Sequence, residues 1–260
     1  MSEPDRSGSF RPHPVTTALW VRQRLTLRAL GVNSALVTAL ALALAGLFAS
    51  VGAMAHGVAE ADALFLQSQQ GFQFWPYVYL GAKHMVTGYD HLLFLAGVVF
   101  FLYRLRDITI YVTLFALGHS LTLITGVWFD VPANAYLIDA VIGLSVVYKG
   151  FENIGGFDAM NVRLNTKIAV GIFGLFHGFG LATKLQDLGL SEDGLLGNLL
   201  AFNLGVEIGQ IIALLAVVAL MNLWRYTARF QAQAVLANGF LMACGFTLIG
   251  YQLTGYFVSQ

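Results

Sequence analysis

Between Leu80 and Val258 the chain is a succession of six apolar runs joined by short polar connections. The runs cover approximately 80–103, 108–127, 133–152, 167–183, 195–224 and 235–258, each close to the roughly 20 residues an α-helix needs to cross a bilayer. In hydrocarbon every backbone N–H and C=O must be satisfied within the protein, so runs of this kind fold as helices. A soluble domain is excluded by composition: 57% of residues are hydrophobic, 11% are charged and the mean hydropathy is +0.71, against about 45–50% and about 25% in soluble domains. The expected fold is all-α, a polytopic transmembrane bundle of six core helices plus an N-terminal signal or anchor helix. No internal repeat is strong enough to claim, and no soluble domain of any size is present.

Residues 1–55 form the first segment. A basic lead with Arg6, Arg11, Arg22, Arg24 and Arg28 is followed by an apolar stretch at 34–51 that ends in Ala53-Met54-Ala55. That order matches a secretory signal with a small-x-small cleavage site, and cleavage after Ala55 would leave His56 as the mature N-terminus. The stretch is also nearly long enough to span, so an uncleaved anchor is the alternative. Residues 56–79 read as a short periplasmic lead-in, with Trp75 and Tyr77 placed where interfacial aromatic rings lie, and 80–260 as the six-helix domain. Arg104 and Arg106, Arg163 and Lys167, and Arg225 and Arg229 fall in alternate connections, while the others carry Asp130, or Asp187, Glu192 and Asp193. By the positive-inside rule the basic loops are cytoplasmic, which puts the mature N-terminus and the C-terminus in the periplasm of a multi-pass inner-membrane protein. Lys plus Arg and Asp plus Glu are 14 each, so net charge points to no nucleic acid. The single cysteine, Cys244, allows no intrachain disulfide and no thiolate cluster.

Against this apolar background the polar residues within the runs are informative. His84 and His91, in HMVTGYDH, stand two helical turns apart on one face with Asp90 beside the second. With a rise of about 1.5 Å per residue, His91, His119, Asp139, His177 and Asn203 come out roughly 9–17 Å below the outer surface, Glu207 a little deeper, and His84 above them near the entrance. Ionisable groups at such depth are costly in lipid and should face the bundle interior and one another. Imidazole and carboxylate without thiolate suit divalent nickel, cobalt, zinc or copper(II), whereas magnesium and calcium prefer all-oxygen sites. The candidate metal ligands are therefore His84, Asp90, His91, His119, His177 and Glu207, with Asp139, Asn203 and Gln210 as neighbours that orient the imidazoles. His13, in the lead, and His56, at the processing site, lie outside this set.

The His84-x5-Asp90-His91 pattern, FALGHSLTL around His119, FGLFHGFGLA around His177 and FNLGVEIGQ at 202–210 together resemble the HupE/UreJ group of bacterial membrane proteins, over about residues 56–258. The resemblance implies a nickel or cobalt permease accessory to hydrogenase and urease maturation. It also implies, four and seven residues after His177, a second His and a Glu, where this chain has Leu181 and Lys184. No nucleotide-binding loop is present, so transport would be secondary or channel-like. Two other readings stay open: an intramembrane metal-dependent hydrolase, and a non-transporting subunit with a structural metal site. The expected partners are the metal ion, the bilayer, and further copies in a homo-oligomer or a larger membrane complex.

Overall fold

A computed structural model of the chain describes residues 64–66, 70–188 and 191–260. The signal or anchor segment at 1–55, its cleavage site and the first part of the lead-in lie outside the described residues. Regular structure within them is helical: α1 (Phe74–Thr87), α2 (Tyr89–Val99), α3 (Leu105–Trp128), α4 (Ala135–Asn153), α5 (Gly156–Ala159), α6 (Thr166–Asp187), α7 (Leu195–Arg225) and α8 (Phe230–Val258). Of these α3, α6, α7 and α8 are each long and apolar enough to cross a membrane, so the chain is a multi-pass membrane protein.

Two departures from the expected runs matter. Helix begins at Phe74, six residues before the expected run, with Pro76 in its first turn, where a missing N–H removes no intrahelical bond. The run is then broken at Gly88, whose ψ of 106° is extended, so the expected single helix is two half-helices. Between α4 and α6 the short α5 follows Gly155, which has a left-handed φ of 77°. Two helix starts carry side-chain caps. Asn134 caps α4 by accepting from the Leu137 N–H, and Asn165 caps α6 by accepting from those of Lys167 and Ile168.

The helices pack as three close pairs, α3 with α6, α1 with α7, and α4 with α8. Glycine sets the approach in each. A Cβ added at Gly205 of α7 would lie 2.0 Å from the Val78 carbonyl oxygen of α1, and one at Gly178 of α6 would lie 2.0 Å from that of His119 on α3. Contacts advance together along α1 and α7 and along α3 and α6, so those pairs are parallel. In the third pair Tyr136 meets Gly255 and Gly150 meets Asn238, so α4 and α8 are antiparallel. The half-helix α2 is held within this frame at its C-terminal end. Asn153 of α4 donates to the Gly97 carbonyl at 2.9 Å, and Arg225 of α7 donates to the carbonyls of Val99 and Phe100. The orphan carbonyls that any helix end exposes are thus bonded by side chains from two other helices. An apolar layer of Phe94, Val98, Phe115, Val146, Val170 and Leu241 fills the space beside α2.

Candidate metal centre

Four histidines from four helices converge at the break between α1 and α2. The ring of His91 lies at the hub, with centroids 5.1 Å from His84, 5.8 Å from His119 and 5.1 Å from His177. An unbroken helix would hold residues seven apart about 10 Å from each other along its axis. The turn at Gly88 is what lets His84 and His91 meet. It also leaves no room for a side chain, since a Cβ there would come within 2.8 Å of His91 Nδ1 and 3.1 Å of Asp90 Oδ1. His84 therefore belongs to the cluster and does not stand above it at an entrance. The earlier start of α1 accounts for the added depth.

Each nitrogen's environment says which can bind a cation. His91 Nδ1 lies 3.1 Å from Asp90 Oδ1, an arrangement that fixes the tautomer and leaves Nε2 as the free lone pair. His91 Nε2 is buried with no hydrogen-bond partner among the described residues, and so are both nitrogens of His119. His177 donates Nδ1–H to the Phe173 carbonyl at 2.8 Å, which likewise turns its Nε2 into the acceptor. His91, His119 and His177 are only 3%, 1% and 1% exposed. Buried imidazoles without partners are costly unless a ligand completes them. One ligand atom from each of His84, His91 and His119 falls within 4.8 Å of the others. A four-coordinate ion with nitrogens at about 2.1 Å separates them by about 3.4 Å, so modest ring rotations would close the set. Asp90 stands in the first turn of α2, at the positive end of the half-helix, where a carboxylate is favoured.

Phe94 and Phe115 pack on His177 at 5.3 and 4.9 Å, an apolar wall that would dehydrate an ion held here. A cavity of about 10 Å³, lined among others by His91, Met85, Tyr111, Val170 and Gln210, is on the edge of what one water needs.

A profile of the HupE/UreJ protein family matches residues 60–260. The chain belongs to the HupE/UreJ family. Comparison with curated proteins and with solved structures finds no match. The family is associated with nickel and cobalt transport and is of transporter type.

The family motifs do not all reach the cluster. Glu207, expected among the ligands, is exposed on the outer side of α7, turned away from Gly205 and Gly209, which face α1. Asp139 has a partner other than an imidazole. Lys184, at the position where the resemblance implied Glu, bonds both its oxygens at 2.9 and 3.1 Å, and Gln252 of α8 adds a third contact at 3.2 Å. The charge that departs from the pattern is thus answered by an expected site residue, and the two together join α4, α6 and α8. Asn203 donates to the Ser120 hydroxyl at 2.8 Å, tying α7 to α3 beside His119, and Gln210 lines the same cavity as His91. Sequence reading missed the pair formed by buried Lys149 and half-buried Glu152, 2.5 Å apart, with Thr166 on the second carboxylate oxygen. Their i, i+3 spacing within an apolar run was the available signal.

Proposed function

We propose that this chain is a permease for a divalent transition metal, nickel or cobalt foremost, that crosses the inner membrane six times with its basic loops in the cytoplasm. Six crossings count α1 with α2 as one interrupted span and α4 as another. His91, His119, His84 and His177 hold the ion, and Asp90 orients His91 and offsets part of the ion's charge. The observation that carries this reading is the burial of His91 Nε2 and both His119 nitrogens without partners, within reach of a third imidazole. A set of neutral nitrogens with one adjacent carboxylate binds a divalent ion without neutralising it fully, which favours release over permanent capture. The purified protein should bind nickel(II) or cobalt(II), and cells expressing it should accumulate the metal. His91→Ala or His177→Ala should abolish accumulation while the protein remains folded in the membrane. Normal accumulation by both variants, or a purified protein that binds no divalent metal, would remove the proposal.

A further inference from the structure

The two parallel pairs are built alike. In one, Gly205 of α7 meets the Val78 carbonyl, Gly81 of α1 meets the Phe202 carbonyl, and Gly209 meets the Ala82 carbonyl. In the other, Gly118 of α3 meets the Gly171 carbonyl, Gly174 of α6 meets the Phe115 carbonyl, and the Thr122 hydroxyl donates to the Leu175 carbonyl at 2.6 Å. One constant offset carries Val78, Gly81 and Ala82 onto Gly171, Gly174 and Leu175. A second carries Phe115, Gly118 and Thr122 onto Phe202, Gly205 and Gly209. The first offset also carries His84 onto His177, so both stand in a Gly-x-x-His sequence. The second aligns Phe115-Ala-Leu-Gly118 with Phe202-Asn-Leu-Gly205, and in both the Phe and Gly are buried and the Leu exposed. In the third pair, a Cβ added at Gly143 would lie 3.1 Å from the Gly245 carbonyl oxygen and one at Gly245 would lie 2.9 Å from that of Gly143, the reciprocity of equivalent residues beside a two-fold axis. Asn203 meets Ser120 and Gln210 meets Val112, so α3 and α7 run in opposite directions, and with them every pair of counterparts.

This is an inverted repeat of α1–α4 and α6–α8 about an axis across the helices, a design in which the site lies between the halves. The halves differ in conformation. The first helix of one is broken at Gly88, while its counterpart α6 runs on unbroken; α4 packs along both α2 and α6, and α8 has only a slight contact with α2. A chain whose like halves hold unlike conformations has a second state in which the conformations are exchanged and access to the site is reversed. Building on the transport reading above, we infer that the chain is an alternating-access carrier, not a channel, and so catalyses exchange of metal for metal across the membrane.

Two measurements on the purified full chain test this. In proteoliposomes loaded with unlabelled nickel(II) and diluted into trace radioactive nickel(II), internal metal should raise tracer uptake severalfold over unloaded vesicles. Spin labels on cysteines placed at exposed Thr109 and Leu215, and separately at exposed Trp128 and Leu196, report opposite ends of the α3–α7 seam and are images of each other under the repeat. Each pair should show two distances, and zinc(II) should shift the two pairs in opposite senses. Tracer entry indifferent to internal nickel, or single distances that zinc leaves in place, would overturn the inference. Reciprocal distance changes without entry of nickel would uphold alternation and overturn the metal-permease reading instead.

Discussion

Replacing Gly88 by alanine places a methyl group 2.8 Å from His91 Nδ1 and 3.1 Å from Asp90 Oδ1, closer than either atom can accept unmoved. The expected outcome is a loss of nickel(II) affinity of tenfold or more in a calorimetric titration with membrane insertion unchanged, since ligands displaced by about 1 Å no longer converge. Glu207→Gln should leave that affinity within a factor of about two, because Glu207 is exposed on the side of α7 away from Gly205 and Gly209 and a metal ligand must come within about 2.0–2.2 Å of the ion. A tenfold loss in this variant would mean that Glu207 turns inward in the metal-bound state. That the four histidines of separate helices come together was legible in the sequence, because ionisable rings within apolar runs must face the interior and one another. Their geometry was not. The spacing of His84 and His91 suggested one helix face, while a single extended glycine between them determines the contact. The facing of Glu207 was hidden for a related reason: α7 is apolar nearly all round, so no periodicity marks its inner side.

At the scale of elements, the run lengths located the long helices to within a few residues, and the miss at 80–103 came from chemistry that hydropathy does not register. An aromatic, proline-containing lead-in continued the helix outward, and Gly88 divided it. The pairing of the helices was equally invisible, since it is set by glycines whose partners lie far along the chain. The link between α4 and α6 offers a sharp test. Lys184→Met takes the cation from Asp139, 4% exposed at its side chain, and breaking one side of such a buried pair costs about 3–5 kcal/mol. Thermal unfolding in detergent should show that loss, and Asp139→Asn combined with Lys184→Met should recover most of it. A single variant as stable as the original chain would mean that water reaches Asp139 freely.

For the whole molecule, a site of imidazoles makes metal binding compete with protons. Binding requires neutral rings, so affinity falls wherever a ring takes up a proton as pH drops, by up to about tenfold per unit for each ring that must lose one. Equilibrium binding of nickel(II) between pH 5.5 and 8 checks the sign, and an affinity that strengthens as pH falls would argue against histidine ligation. The bond between Asp139 and Lys184 bears on how such a molecule is made. Its partners are separated by 45 residues, and α4 is not among the four helices whose length and apolar composition suit a membrane span. At a synthesis rate of about 5–20 residues per second, α4 waits roughly 2–9 s for the charge that completes it. Asp139 is therefore made well before the two side chains that bond it, Lys184 of α6 and Gln252 of α8, and its carboxylate gains them only as those later helices are added.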